Sequence, residues 1–218
     1  ERLEERSVAI QGLGNVGEHL SRHLVEAGAE VVATDIDKAR ADRIARELRI
    51  ELVEPDAIYD VDADVFAPCA LGAVLNDDTI ERCRFKIVAG AANNQLAEDD
   101  HGEALRERGI LYAPDYVINA GGLINVYNEL EGYNHERALR MTRGIYTNLR
   151  QIFALAKAQR ISTNRAADRV AEDRIATVAK LKSTFLGNNT GPARQLQFLQ
   201  NRRANPFADA LRTGRFCY

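Results

Sequence analysis

Short apolar segments alternate with amphipathic helical stretches through the first half of the 218-residue chain, and this alternation restricts the possible folds more than any other feature. The strand segments are short apolar runs, whereas apolar residues recur at helical spacing in the stretches between them. This order favours right-handed βαβ units and a parallel sheet. Strands are predicted at 8–11, 31–33, 65–67, 87–89 and 110–112, and helices at 15–27 and 38–48.

From Gly122 onward the pattern becomes helical, with helices predicted at 123–130, 136–157 and 165–181. The expected fold class is therefore α/β, a doubly wound, mainly parallel sheet with additional C-terminal helices. Residues 1–182 are predicted to form this domain, and residues 183–218 a tail of uncertain structure. The only methionine is Met141, so the chain has no initiator methionine and is expected to be a segment of a longer protein.

The first predicted strand runs directly into a glycine-rich sequence that opens the next helix, Gly12-Leu13-Gly14-Asn15-Val16-Gly17. Gly12 is expected to permit a tight turn, Gly14 to let the backbone approach a pyrophosphate, and Gly17 to let helix and strand pack closely. The pyrophosphate would bind the unpaired N–H groups at the positive end of the helix. The alternative is a simple strand-to-helix turn.

Asp35 stands at the end of the second predicted strand, where a carboxylate can accept hydrogen bonds from ribose hydroxyls. Its charge would repel a 2′-phosphate, so NAD is favoured over NADP. No arginine follows it directly, and Lys38 and Arg40 lie further on, inside the next predicted helix. The alternative is that Asp35 or Asp37 only caps that helix. With the glycine loop, Asp35 predicts a Rossmann-like dinucleotide site with NAD as cofactor.

Four further segments are more specific than the glycine loop. They are Ala67-Pro68-Cys69-Ala70-Leu71-Gly72-Ala73, Gly90-Ala91-Ala92-Asn93-Asn94-Gln95-Leu96, Ala113-Pro114-Asp115-Tyr116-Val117-Ile118-Asn119-Ala120-Gly121-Gly122 and Glu131-Gly132-Tyr133-Asn134. In order and spacing they resemble the leucine, phenylalanine and valine dehydrogenases within the wider glutamate dehydrogenase group. The resemblance covers about residues 8–181 and is strongest to the leucine dehydrogenases. Segments that follow strands are expected at the carboxyl edge of the sheet, where such sheets bind ligands.

The resemblance implies a set of residues that line the NAD site: Gly12, Leu13, Gly14, Asn15, Val16, Gly17, Asp35, Ile36, Cys69, Ala70, Ala91, Asn93 and Asn119. It also places Asn119 near the nicotinamide and the substrate, with Leu123 and Val126 as the apolar pocket for the substrate side chain. Each assignment has an alternative. Cys69 can be a small buried hydrophobe, Asn119 a turn former, and Leu123 and Val126 ordinary core residues.

The implied reaction is the reversible oxidative deamination of a branched-chain or other apolar L-amino acid to the 2-oxo acid and ammonia. By resemblance, the catalytic lysines and aspartate belong to a preceding N-terminal domain absent from this chain, so no catalytic residue is expected here. The lysines present do not match the family's catalytic motif: Lys38, Lys86, Lys157, Lys180 and Lys182. The isolated chain is expected to bind NAD weakly and to turn over nothing.

The composition narrows the choice of partners and compartment. With 29 basic and 32 acidic residues mixed along the chain, a net charge of -3 gives no electrostatic case for nucleic acid or membrane partners. Cys69, Cys83 and Cys217 are widely spaced, which fits neither a disulfide framework nor a metal site and indicates a cytoplasmic location. The expected partners are the amino-acid substrate and the absent domain, in a full-length protein that is a homo-oligomer.

Two other functions remain as alternatives. One is a regulatory module that senses NAD without catalysis, and the other is a two-domain dehydrogenase acting on a different class of substrate. A sensor has no need for a substrate-shaped wall beside the nicotinamide, such as Asn119, Gly121 and Gly122 would provide. The segments quoted above argue against the second alternative.

Overall fold

The computed structural model describes residues 3–130 and 132–185. They fall into two units, the first ending at Val170 and the second beginning at Ala171. Glu131 and residues 186–218, which include most of the predicted tail, lie outside the described residues. The fold below is that of the first unit, apart from the last helix, which continues into the second.

A six-stranded sheet in which every pair of neighbours is parallel forms the centre of the first unit. The strands are β1 Ser7–Gln11, β2 Glu30–Thr34, β3 Glu51–Leu52, β4 Val65–Pro68, β5 Ile87–Val88 and β6 Leu111–Tyr112. Their order across the sheet is β3-β2-β1-β4-β5-β6. The chain therefore builds outward from β1 first in one direction and then in the other. This confirms the predicted α/β fold and doubly wound parallel sheet.

Helices connect the strands and then continue beyond the sheet. They are α1 Asn15–Glu26, α2 Lys38–Leu48, α3 Asp77–Arg82, α4 His101–Glu107, α5 Asp115–Ile118, α6 Gly121–Leu130, α7 His135–Gln159 and α8 Thr163–Phe185. Two short 3-10 turns lie at Leu3–Glu5 and Ala57–Asp60. The long predicted helices are all present, whereas α3, α4, α5 and β3 were not predicted. None of the described helices is long and apolar enough to cross a membrane.

The two faces of the sheet carry separate apolar cores, because successive strand side chains point to opposite faces. Ala9 belongs to the core that includes Phe66, whose ring stacks on Phe85 with centroids 5.0 Å apart. Its neighbour Ile10 belongs to the other core, with Ile44 of α2. All of these side chains are nearly inaccessible to water. Burial on both faces holds β1 rigidly, so the loop that leaves β1 starts from a fixed point.

Candidate functional site

The glycine loop between β1 and α1 is a tightly constrained turn at the carboxyl edge of the sheet. Gly12 has a φ of 99°, a conformation that side-chain-bearing residues rarely adopt. A Cβ added to Gly12 would lie 2.7 Å from the Cβ of Ala70, and one added to Gly17 would collide with the carbonyl oxygen of Gly12. The structural roles predicted for Gly12, a tight turn, and for Gly17, close packing of helix and strand, are confirmed.

Gly14 differs from its two neighbours, because a Cβ built on it would have no atom within 4 Å. Gly14 is also the N-cap residue of α1, and it supplies no side-chain hydrogen bond to the first turn of the helix. The N–H groups of that turn have no partner within the helix, and they attract anions. Asn15 and Val16 are exposed beside it. The space and the donors together fit a pyrophosphate.

Asp35 ties the end of β2 to the glycine loop. Its Oδ2 accepts a hydrogen bond from the backbone N–H of Leu13 at 2.6 Å, and its Oδ1 accepts one from the N–H of Asp37 at 2.8 Å. The α2 helix is capped by Asp37, whose side chain accepts from the N–H of Arg40 at 3.0 Å. The alternative that Asp35 is the cap of this helix is therefore excluded. The Leu13 side chain is fully buried in the core and lines no cleft.

A cleft of about 500 Å³ opens beside the loop. Six of the residues predicted to bind the cofactor line it: Gly12, Gly14, Asp35, Ile36, Cys69 and Ala70. Ile36 is 88% exposed, an unusual position for an isoleucine unless something covers it. The fit to a dinucleotide rests on the three features together: apolar walls, the open position at Gly14, and the carboxylate of Asp35.

Cys69 follows β4, and the structure supports both interpretations of it. It lines the cleft and also packs, partly buried, against the core that contains Ile10. Burial raises the pKa of its thiol, with a hydrogen bond at the Ala91 backbone acting in the opposite direction. A thiol with a raised pKa stays protonated at neutral pH and is a poor nucleophile. Cys69 is therefore suited to form a wall and not to carry out covalent chemistry.

Asn93 and Asn119, which follow β5 and β6, lie in direct contact at the same edge of the sheet. The Asn119 Nδ2 donates to the Asn93 Oδ1 at 2.6 Å. Below them, Asp115 is buried and accepts the backbone N–H of Gln95 at 2.9 Å, which joins the two loops a second time. The asparagine pair thus presents an amide nitrogen on Asn93 and an amide oxygen on Asn119. Together they can bind a group that has both a donor and an acceptor, such as a carboxamide.

The predicted substrate pocket lies on α6. Leu123 is 74% exposed and Val126 is 41% exposed, so neither packs in a core formed by the described residues. Short helix α5, which carries Asn119 at its end, is held to the start of α8 because the Tyr116 hydroxyl donates to Asp168 Oδ1 at 2.9 Å. The asparagine pair is therefore supported from below by Asp115 and from the side by Tyr116.

The sequence prediction missed some lining residues of the cleft. Arg40 lies on its wall with its guanidinium 4.0 Å from the Asp35 carboxylate, although its position inside α2 had argued against contact. Gln11 and Tyr59 also line the cleft and are joined by a 2.7 Å hydrogen bond. Tyr59 comes from a 3-10 turn with no sequence signature. The spacing of Arg40, three residues after Asp37, places it beside the helix cap but does not show which side of α2 faces the cleft.

Comparison with known proteins adds an independent observation. Residues 34–184 match the family model described as glutamate/leucine/phenylalanine/valine dehydrogenase. The leucine dehydrogenase of Thermoactinomyces intermedius is 55% identical over 184 residues, which is 84% of this chain and 50% of that protein. The L-tryptophan dehydrogenase of Nostoc punctiforme is 51% identical over 183 residues, 84% of this chain and 52% of that protein. The chain spans about half the length of the curated relatives it matches.

Solved structures agree. The crystal structure of the L-tryptophan dehydrogenase from Nostoc punctiforme superposes with a TM-score of 0.80 at 50% identity, covering 82% of this chain and 54% of that one. A hetero-hexameric glutamate dehydrogenase from Thermus thermophilus superposes with a TM-score of 0.64 at 22% identity, covering 84% of this chain and 48% of that one. The second likeness shows a shared fold only.

Proposed function

Since this chain belongs to the glutamate/leucine/phenylalanine/valine dehydrogenase family, we propose that it is the cofactor-binding part of an NAD-dependent amino-acid dehydrogenase. The reaction is oxidative deamination: an L-amino acid, water and NAD+ give the 2-oxo acid, ammonium, NADH and a proton. Bound NAD supplies the acceptor for the hydride that leaves the substrate Cα. The single observation that carries the proposal is the cleft beside Gly14, where open space, free helix N–H groups and the Asp35 carboxylate meet.

The residues of this chain bind and orient, and they do not move protons. The backbone at Gly14 and Asn15 holds the pyrophosphate, and Asp35 accepts hydrogen bonds from the adenosine ribose. The Asn93–Asn119 pair would hold the carboxamide end of the cofactor. Support for this arrangement comes from the 2.6 Å bond between the two asparagines, which leaves the amide nitrogen of Asn93 available as a donor and the amide oxygen of Asn119 as an acceptor.

The substrate is an L-amino acid with an apolar side chain. Leu123 and Val126, exposed on one side of α6, form the apolar surface against which that side chain packs. The relatives are named for leucine, tryptophan and phenylalanine, which share an apolar side chain and differ in size. No relative supports the alternative of an NAD-sensing module without catalysis.

The proton-transfer groups come from a catalytic domain that precedes this one in the full-length protein. Two lysines of this chain are committed to ion pairs, since Lys38 lies 3.5 Å from Glu54 and Lys86 lies 2.6 Å from Asp64. Neither pair lies on the wall of the cleft. We also propose that the full-length protein is a cytoplasmic homo-oligomer, which size-exclusion chromatography with light scattering on that protein would test.

The direct test is calorimetric titration of this chain with NAD, followed by the Asp35→Asn variant. Asparagine keeps an oxygen for the Leu13 N–H, gives up the acceptor for the exposed Asp37 N–H and removes the charge, so the fold should survive at a small cost in stability while NAD affinity falls about tenfold. The chain alone should show no amino-acid-dependent reduction of NAD. The full-length protein should show it with leucine, valine or phenylalanine. Turnover by the chain alone would contradict the proposal, as would an Asp35→Asn variant that binds NAD as tightly as the wild type.

A further inference from the structure

Arg40 is the one cation on the wall of the cofactor cleft among the described residues. It lies in the first turn of α2, where its Nη2 is 3.3 Å from Asp37 and its Nη1 is 4.0 Å from Asp35. The same Asp37 caps α2 by accepting the Arg40 N–H. The guanidinium is thus held at the mouth of the cleft beside the carboxylate that would contact the ribose, and its side chain is still 44% exposed.

The Asp35 carboxylate is less able to repel an anion than an isolated carboxylate would be. Both of its oxygens accept backbone N–H groups, from Leu13 and from Asp37, and its side chain is only 7% exposed. Each donor places a partial positive charge against the carboxylate, and Arg40 adds a full one. A phosphate on the ribose 2′-oxygen would therefore meet the Arg40 guanidinium beside the Asp35 and Asp37 carboxylates, and not a bare negative site.

From this geometry we infer that Arg40 is a specificity-determining residue that offsets Asp35, so that the cleft prefers NAD but also admits NADP. The inference rests on the proposed cofactor site and deepens it. Arginine is well suited to this role, because its planar guanidinium can leave Asp37 and bind phosphate oxygens in a bidentate manner. Asp35 supplies the preference for a free 2′-hydroxyl, and Arg40 limits how strongly the 2′-phosphate is rejected.

The test is calorimetric titration of this chain with NAD and with NADP, in the wild type, in Arg40→Gln and in Arg46→Gln. Arg46 is the matched control, since it lies on the same helix, donates to the Asp42 carbonyl oxygen and does not line the cleft. The wild type should bind both nucleotides, NAD more tightly. Arg40→Gln should weaken NADP binding about tenfold and NAD binding by less than about twofold. Arg46→Gln should leave both affinities unchanged.

Ionic strength gives a second readout. The wild-type affinity for NADP should fall more steeply with added salt than its affinity for NAD, and Arg40→Gln should remove most of that difference. Two results would overturn the inference and leave the proposed function standing, provided that NAD binds. One is a ratio of NADP affinity to NAD affinity that Arg40→Gln does not alter. The other is a wild type that shows no measurable NADP binding. If neither nucleotide binds, both the inference and the proposed function are overturned.

Discussion

Gly12 and Gly14 lie two residues apart and are constrained for opposite reasons. Gly12 needs its positive φ and has the Ala70 Cβ against it, whereas Gly14 has a φ of −67° and open space on its Cβ side. The first residue is required by the chain itself. Gly14 is not required by contacts within the fold, and its open space suits a bound ligand.

This difference makes a prediction that separates folding from binding. Gly12→Ala should lower the free energy of unfolding by about 1–3 kcal/mol, because it combines backbone strain with a steric overlap. Gly14→Ala should lower it by only about 0.5–1 kcal/mol, because the new Cβ meets no atom and the cost is that of a poorer helix cap. However, it should weaken NAD binding at least about tenfold. Urea denaturation and calorimetric titration of both variants measure the two effects, and equal stability of the two variants would contradict the prediction.

At this scale the sequence was informative where a residue is required by backbone geometry, and less so where the side chain's partner is distant in sequence. The turn at Gly12 follows from the motif alone. The two hydrogen bonds of Asp35 depend on how β1 and β2 pair, and the position of Arg40 depends on which side of α2 faces the cleft. Neither is encoded in local spacing.

Helices α1 and α2 are joined by a network of ion pairs on their exposed sides. Glu18 lies 2.9 Å from Arg22 on its own helix and 2.9 Å from Arg43 on α2, and Arg22 also lies 2.9 Å from Glu47. The hydrogen bond to Arg43, reinforced by the one to Arg22, lowers the pKa of Glu18 from 4.5 to about 2. The network holds together the two helices that flank the glycine loop and Asp35.

A depressed pKa fixes the direction of the pH dependence. The contribution of Glu18 to stability is present above pH 4.5, and it is lost as the pH falls from there through about 2. Glu18→Gln should therefore lower the melting temperature at neutral pH, and the difference from the wild type should shrink as the pH falls toward 2. Thermal melts at a series of pH values, with Glu30→Gln as the exposed control, measure this. A difference that stays constant with pH would show that Glu18 acts by some other route.

At the level of elements, length decided which helices could be predicted from the sequence. The bounds of α2, Lys38–Leu48, agree with the prediction. Its eleven residues are enough to show an apolar stripe, and the capping residue Asp37 precedes them. Helices α3 and α4 have six and seven residues, which is too short for a helical period to stand out from the surrounding loop. Strand β3 is no shorter than β5 and β6, which were predicted, but one of its two residues is Glu51, so it does not form an apolar run and only its pairing with β2 defines it.

At the scale of the whole molecule, helices α6 and α7, which follow the sheet, expose apolar side chains. Leu123 is 74% exposed and Leu130 is 72% exposed on α6, and Tyr146 is 67% exposed on α7. Large exposed apolar surfaces mark sites of interaction. Sequence periodicity alone could not distinguish these exposed positions from core positions.

Replacement of these leucines tests whether the surface is free in solution. The double variant Leu123→Gln, Leu130→Gln should keep the free energy of unfolding within about 0.5 kcal/mol, because the side chains are already in water and glutamine is as good a helix former as leucine. Leu105→Ala, in the fully buried core, should cost about 2–5 kcal/mol. Denaturant unfolding of both variants supplies the measurement. A loss of more than about 1 kcal/mol in the double variant would mean that α6 is covered.

The outermost strands of the sheet, β3 and β6, contain two residues each. Edge strands expose unpaired N–H and C=O groups that can recruit a strand from another chain and start fibrous, cross-β growth. A two-residue edge offers too little template for such a strand to align. A chain that carries this much exposed apolar surface on its helices therefore offers little template for cross-β growth at the edges of its sheet.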